Sequence, residues 1–136
     1  MVPADIGGII DIDQRLTGEQ RTANQAEIIT SGTGGIHDLS FIAEADNKIA
    51  GFLIARAVYI GEPVIETAAI QFIGVDPVYA GHGIASKLVN ALVEGSKAKG
   101  IKAIRVMVGD RDSKLEGFYK HMGFSPAKLK VYSKNV

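Results

Sequence analysis

Apolar residues along this chain follow two different periods, and turns that contain glycine, asparagine or proline separate them. Near the start, isoleucine and leucine recur at helical spacing, which predicts a helix over residues 4–16. Further along, three apolar runs have the length of strands, with hairpin-type breaks at residues 46–48 and 61–63. These runs are residues 39–45, 49–60 and 64–75. The pattern therefore predicts three antiparallel strands in series.

The segment between the first helix and the first strand is polar and contains several glycines. It predicts one short helix around residues 23–30 and a loop over residues 31–35. We expect this segment to be the variable part of the fold.

Helix and strand alternate in the second half of the chain. Ile84, Leu88 and Leu92 form one apolar stripe of a helix, and Gly100 is placed to end it. Residues 101–108 are then mostly apolar and short, as expected of a buried strand. The order strand, helix, strand predicts a crossover unit after the hairpins.

The last part of the chain predicts one more helix and one more strand. Ser113 and Glu116 have the spacing of a capping box, so a helix should begin near Asp112 or Ser113 and end at Gly123. Residues 124–132 alternate between apolar and polar side chains, which predicts a final strand. A single domain of α/β architecture over residues 1–136 accounts for all these elements.

Residues 75–88 hold the most informative motif of the chain. There an apolar run ends at Pro77, a turn with Gly81 and Gly83 follows, and a helix begins immediately after it. Glycine lets the backbone approach a bulky ligand closely, and the amides of a first helical turn have no partners of their own. Because the positive end of the helix dipole also lies there, the motif predicts a site for a phosphate or pyrophosphate.

Composition narrows the range of partners. The 15 basic and 15 acidic side chains cancel, which argues against a general nucleic-acid binder and against a protein of anionic membranes. The absence of cysteine excludes a disulfide framework and a thiolate nucleophile, and the three histidines are too dispersed for a metal site. Since no apolar run reaches membrane-spanning length and the start lacks a basic signal-peptide region, we expect a cytoplasmic protein that binds a small molecule.

Two common phosphate-binding motifs do not fit the glycine turn. A Walker loop needs Gly-Lys-Ser or Gly-Lys-Thr, and a dinucleotide fingerprint needs a third glycine where Ser86 stands. The turn resembles instead that of the GNAT superfamily of acetyl-CoA dependent N-acetyltransferases. Val-Asp-Pro at residues 75–77 and Tyr-Lys-His-Met-Gly-Phe at residues 119–124 belong to the same resemblance, which covers roughly residues 39–131.

The resemblance implies a mixed, mostly antiparallel central sheet flanked by about four helices. It implies that this sheet opens between the family's fourth and fifth strands, here near residues 72–75 and 106–108. The pantetheine arm of the coenzyme then pairs with the fourth strand. Gly83 and Ala85 match the family's turn, whereas Ala80 replaces a polar residue. That replacement removes at most one hydrogen bond, worth about 0.5–1.5 kcal/mol.

The same resemblance implies the residues that contact the coenzyme. Backbone amides of the turn would hold the pyrophosphate, with Ser86 or Lys87 assisting, and Tyr119 would lie beside the coenzyme sulfur. A thiol is a stronger acid than a phenol, so full proton transfer from Tyr119 to the departing sulfur is slightly unfavourable. Two roles therefore stay open for Tyr119: stabilising the negative charge on sulfur with a hydrogen bond, or acting as a general acid. The expected contacts are Ile73, Gly74, Val75, Gly81, His82, Gly83, Ile84, Ala85, Ser86, Asp112 and Tyr119.

Three of these side chains have a structural alternative. Tyr119 lies at helical spacing from Leu115 and Met122 and would be a core aromatic if it stood alone. Asp112 is suited to cap the last helix. The side chain of His82 lies between two glycines and should point to solvent, so we assign it no role as a base.

The family's general base is absent from its usual places. Those places are Ala69 and Met107, neither of which accepts a proton. Glu66 is the nearest group that could serve as a base, through water, and Gln71 is the other nearby polar residue. At pH 7 an α-amine costs about 1 kcal/mol to deprotonate and a lysine about 4.6 kcal/mol. Acceptor amines of low pKa should therefore be preferred.

The function implied is transfer of an acetyl group from acetyl-CoA to a primary amine in a ternary complex, with Tyr119 and Glu66 as catalytic residues and no metal. The alternative is a non-catalytic acyl-CoA sensor of the same fold, which would need the glycine turn but no base. Family members open with a strand, and residues 1–4 leave almost no room for one. An exposed sheet edge would result, so we expect pairing with a second copy.

Overall fold

The computed structural model describes residues 2–17, 34, 37–60 and 65–136. The helix expected around residues 23–30 and most of the loop after it lie outside these residues, as does the break at 61–63. The described α-helices are α1 (Ile6–Thr17), α2 (Ile84–Ala98) and α3 (Ser113–His121), and the strands are β1 (Phe41–Ala45), β2 (Lys48–Ile60), β3 (Ile65–Val75) and β4 (Ala103–Val106). Short 3₁₀ turns span Pro3–Asp5 and Pro77–Tyr79.

The strands form one sheet in the order β1-β2-β3-β4. The first three are antiparallel, and β4 lies parallel to β3 because α2 crosses between them. Asp46 and Asn47 connect β1 to β2 with φ angles of 53° and 61°, the left-handed conformation that tight hairpins need. The predicted mixed, mostly antiparallel fold is confirmed, including the three strands in series and the crossover.

Each face of the sheet has its own apolar core, and we name each face after its helices. On the α2–α3 face, Leu88, Leu92 and Tyr119 pack with Leu53 and Ala68. On the α1 face, helix residues pack against strand residues, and the buried set is Ile9, Ile12, Phe52 and Ile54. Because side chains alternate along a strand, these two clusters assign the β3 residues up to Ile70 to one face or the other. None of the described helices combines the length and the apolar character needed to cross a bilayer.

The start of α3 differs from the expected capping box. The carboxylate of Asp112 accepts a hydrogen bond from the Leu115 amide at 3.1 Å, so Asp112 is the N-cap. Glu116 then stands one residue too late to complete a box with Ser113, and its carboxylate pairs with Lys120 at 3.1 Å instead. The expected cap at Asp112 is confirmed, and the Ser113–Glu116 box is wrong.

The final strand expected over residues 124–132 is also wrong. Residues 124–136 contain neither strand nor helix. Phe124 packs against the α2–α3 core, but Leu129, Val131 and Tyr132 are 53%, 72% and 89% exposed. The apolar and polar side chains alternate as a strand requires, but a strand also needs a neighbouring strand for its backbone hydrogen bonds. Pro126 in addition removes one backbone donor.

Candidate functional site

A set of hydrogen bonds fixes the chain where it leaves β3. The Asp76 amide donates to the Ala50 carbonyl at 2.7 Å, and the Asp76 carboxylate accepts from the Val78 amide at 3.1 Å. The Tyr79 hydroxyl donates to the Asp46 carboxylate at 3.1 Å, which ties the turn to the β1–β2 hairpin. The glycine turn therefore begins from a fixed position at the end of the sheet.

The glycine turn leaves several amides free at the start of α2. Gly81 and Gly83 have φ angles of +83° and +73°, a conformation that favours glycine. Gly83 is the N-cap and has no side chain to bond the first turn, and its carbonyl accepts from the Lys87 amide at 3.1 Å. The amides without an intrahelical acceptor are those of Gly83, Ile84, Ala85 and Ser86. A Cβ built on Gly81 or Gly83 meets no atom within 4 Å, so the space beside these amides is open.

His82 does not contribute its amide to this set. That amide donates to the Tyr79 carbonyl at 3.3 Å, so the row of free donors expected over residues 81–85 is interrupted at His82. The imidazole is exposed, as expected, and lies edge-to-face against Tyr79 with the ring centroids 6.3 Å apart.

The sheet opens between β3 and β4, next to this turn. The two strands pair only where Thr67 to Ile70 face Ala103 to Val106, whereas β3 continues to Val75 against β2. Since the Asp76 amide points to β2, alternation directs the backbone groups of Ile73 and Val75 to the open edge and those of Gly74 to β2. Ile73 and Val75 can thus pair with an extended ligand, and Gly74 cannot.

A β-bulge marks the point where the opening starts. Ile54 pairs with Phe72 and Ala55 pairs with Ile70, which leaves Gln71 without a partner on β2. Two residues of simple alternation predict that Gln71 shares a face with Ala69. The bulge interrupts this alternation, so that prediction does not hold. We refer to this end of the β3–β4 pairing, at Ile70 and Gln71, as the split.

Tyr119 combines deep burial with an unused hydroxyl group. Its side chain is 3% exposed and lies between Phe118 and Phe124, with both ring-centroid distances 5.1 Å. Within the described part of the chain, the hydroxyl has no hydrogen-bond partner. Burial raises the pKa of Tyr119 to about 12, so the phenol keeps its proton at neutral pH. A buried phenol without a partner is costly, and a bound ligand atom would satisfy it.

The structure does not bring Glu66 to the split. Glu66 pairs with Tyr59 at the start of β3, and at about 3.3 Å per residue it lies about 13 Å along the strand from Ile70. Alternation puts it on the α2–α3 face, opposite to Ala69. Met107, just beyond β4, is 81% exposed. Within the described ranges, no three histidine, aspartate or glutamate side chains are grouped to hold a metal ion.

Sequence reasoning missed a basic rung that crosses the sheet next to the split. Arg56, Ala69 and Arg105 are register partners on β2, β3 and β4, so their side chains share the α1 face. Arg105 Nη1 donates to Thr67 Oγ1 at 3.3 Å. The hairpin turns could have indicated the pairing of Arg56 with Ala69, but no local signal gives the register of the parallel strand β4.

Comparison with known proteins identifies the family. Residues 10–124 match the family model described as acetyltransferase (GNAT) family, so the chain belongs to that family. An uncharacterized N-acetyltransferase of Methanocaldococcus jannaschii is 33% identical over 90 residues, which cover 65% of this chain and 40% of that protein. The match thus spans less than half the length of this relative.

Solved structures share this fold. The aminoglycoside acetyltransferase AAC(6')-Iy, solved with a CoA bisubstrate analogue, has a TM-score of 0.82 at 17% identity, covering 100% of this chain and 95% of that one. A ribosomal-protein-alanine N-acetyltransferase from Brucella melitensis biovar Abortus 2308 has a TM-score of 0.79 at 13% identity, covering 100% and 96%. The GNAT fold expected from the sequence is therefore shown.

Proposed function

We propose that the protein transfers an acetyl group from acetyl-CoA to a primary amine. One observation carries the proposal: a group of free amides at the start of α2 continues directly into the unpaired edge of β3. The first feature suits a diphosphate and the second suits an extended arm that carries amide groups. Acetyl-CoA has both parts and supplies an activated acetyl thioester. AAC(6')-Iy, which shares this fold, has also been solved with CoA.

The residues present fit this cosubstrate. The amides of Gly83, Ile84 and Ala85 would bind the diphosphate, and the open space beside Gly81 and Gly83 leaves room for it. The backbone groups of Ile73 and Val75 would pair with the arm and direct it toward the split. Binding would therefore rely on backbone groups, so the absence of a polar side chain at Ala80 should weaken it only modestly.

Tyr119 would act on the charge that develops as the thioester bond breaks. Its pKa of about 12 lies far above that of a thiol, so the phenol donates a hydrogen bond and keeps its proton. A backbone amide on the open edge of β3 would stabilise the oxyanion formed when the amine attacks. Neither task requires a side-chain base.

Calorimetry and thiol release together test the proposal. We expect CoA and acetyl-CoA to bind with measurable heat, and acetyl-CoA to release free thiol when an amine is added. Absence of heat with both ligands at high protein concentration would contradict coenzyme binding. Binding without thiol release across an amine panel would favour the non-catalytic sensor instead.

The acceptor should be an α-amine or another amine of lowered pKa. Ala69 and Met107 supply no base at the split, and Glu66 lies about 13 Å away along β3. The amine must then lose its proton to water, which costs a lysine about 3.6 kcal/mol more than an α-amine. We expect kcat/KM at pH 7 to be at least about tenfold higher for the α-amine of a dipeptide amide than for Nα-acetyl-lysine amide, measured by thiol release. Faster turnover of the lysine side chain would contradict this.

A further inference from the structure

We propose that Arg56 and Arg105 form an anion subsite for the acceptor, and that the acceptor is an α-amine whose neighbouring group carries a carboxylate. This inference rests on the proposed acetyl transfer and names its substrate class. It starts from the basic rung on the α1 face, where the two arginines flank Ala69.

The basic rung lies where the acceptor amine would meet the end of the coenzyme arm. It lies one residue before Ile70 and Val106, the last register pair before β3 and β4 separate. An arm that pairs with Ile73 and Val75 and continues along β3 ends at this point. A group held between the two arginines would therefore place an adjacent amine at the end of the arm.

The same position separates the basic rung from the diphosphate site. Ala69 and Val75 are six residues apart on β3, or about 20 Å. The free amides of α2 lie beyond Val75, at the far end of the strand. The arginines also occupy the α1 face, whereas α2 and Tyr119 cover the other face. The two cationic side chains are thus placed for a second ligand.

The small side chain of Ala69 separates the two arginines. Neighbouring strands are about 4.8 Å apart, so the Cα atoms of Arg56 and Arg105 lie about 10 Å apart with a single methyl group between them. Two guanidinium groups at this spacing can converge on one small anion above Ala69. Guanidinium binds a carboxylate with two parallel hydrogen bonds, which gives both affinity and orientation.

The two arginines form no ion pair within the described part of the chain. Both are partly buried, and the bond that Arg105 makes there is to the neutral hydroxyl of Thr67. Asp38 is the register neighbour of Arg56, but its carboxylate accepts from the amides of Ser40 at 2.9 Å and Gly34 at 2.8 Å. Partly desolvated arginines that make no ion pair with the described residues favour binding of an anion from outside.

Pairs of dipeptide amides that differ only in charge test this inference. The substrates are Ala-Asp-NH₂ against Ala-Asn-NH₂ and Ala-Glu-NH₂ against Ala-Gln-NH₂, with Ala-Lys-NH₂ as the cationic member. Each has the same terminal α-amine, so the pKa of the reacting group stays nearly constant. We expect kcat/KM for at least one acidic peptide to exceed that of its amide partner about tenfold or more, mainly through KM.

Variants of the two arginines should remove this preference. In Arg56→Gln and Arg105→Gln the ratio of acidic to amide substrate should fall toward one, and in Arg56→Glu the preference should move to Ala-Lys-NH₂. Lys97→Gln, on the exposed last turn of α2, removes the same charge and should keep the wild-type ratio. Since Arg105→Gln also loses the bond to Thr67, Arg105→Lys provides a variant that retains the charge and should retain part of the preference.

Calorimetry separates the failure of this inference from the failure of the proposed function. In the presence of CoA, the wild type should bind the preferred acidic dipeptide, and the arginine variants should bind CoA normally but that peptide weakly. Equal turnover of acidic and neutral peptides by an active wild type would overturn the anion subsite and leave acetyl transfer intact. If the arginine variants still bind CoA and keep the preference for acidic peptides, the anion subsite is also overturned and acetyl transfer is not. Loss of CoA binding in the wild type would instead refute the proposed function.

Discussion

Replacing Tyr119 with phenylalanine should lower kcat about 10- to 100-fold without destabilising the protein. A hydrogen bond to a charged group is worth about 1.5–3 kcal/mol, and this one would act on the negative charge that develops on sulfur. The substitution should not lower the free energy of unfolding, because the hydroxyl is buried and has no hydrogen-bond partner among the described residues. Phenylalanine fits the same place between Phe118 and Phe124.

Three measurements on Tyr119→Phe separate catalysis from packing. These are kcat by thiol release, the Kd of CoA by calorimetry, and the midpoint of thermal unfolding. We expect kcat to fall, Kd to stay within a few-fold, and the midpoint to stay equal or rise. Tyr132→Phe removes a hydroxyl from a side chain that is 89% exposed and serves as the matched control. An unchanged kcat in Tyr119→Phe would reduce Tyr119 to a core aromatic.

The elements that the sequence predicted correctly are those with local causes. The hairpin at Asp46 and Asn47, the end of α2 near Gly100 and the glycine turn at residues 81–83 each depend on backbone preferences of the residues themselves. Helix spacing likewise depends on neighbours along the chain. Such features can be read without knowing which strands meet.

The features that the sequence did not predict depend on pairing between distant segments. The bulge at Gln71 exists because β2 and β3 differ by one residue at that point. The split exists because β4 ends at Val106 while β3 continues, and only the family resemblance, not the local pattern, predicts it. In the tail from Phe124, the alternating sequence pattern is present, but no strand forms because it does not pair with another strand. The basic rung combines residues from three strands, so no single segment indicates it.

The site divides in the same way. The free amides at the start of α2 follow from a local motif, and the position of Tyr119 follows from a helix that carries it into the core. The interruption at His82 depends on a hydrogen bond to Tyr79, which the residue types alone do not reveal. Glu66 was selected because it can titrate, but the register of β3 places it away from the split.

Two glycines with the same backbone conformation give the sharpest test of the diphosphate site. Gly83 and Gly100 have φ angles of +73° and +76°, and a Cβ on either meets no atom within 4 Å. Changing either one to alanine should therefore cost similar stability, about 1–2 kcal/mol for a left-handed residue. Only Gly83 lies beside the free amides of α2, whereas Gly100 follows the other end of that helix.

We therefore expect Gly83→Ala to weaken CoA binding about 10- to 100-fold and Gly100→Ala to leave it unchanged. The added methyl group takes space beside the diphosphate, and any relaxation of φ turns the Gly83 amide away from it, at a cost of about 1.5–3 kcal/mol for each hydrogen bond to the charged group. Calorimetry with CoA, and with pantetheine as a ligand that lacks the diphosphate, measures both effects. Pantetheine should bind both variants and the wild type equally, because its contacts are to β3. A similar loss of CoA affinity in the two variants would mean that the glycines matter only for folding, and that the amides at the start of α2 bind no phosphate.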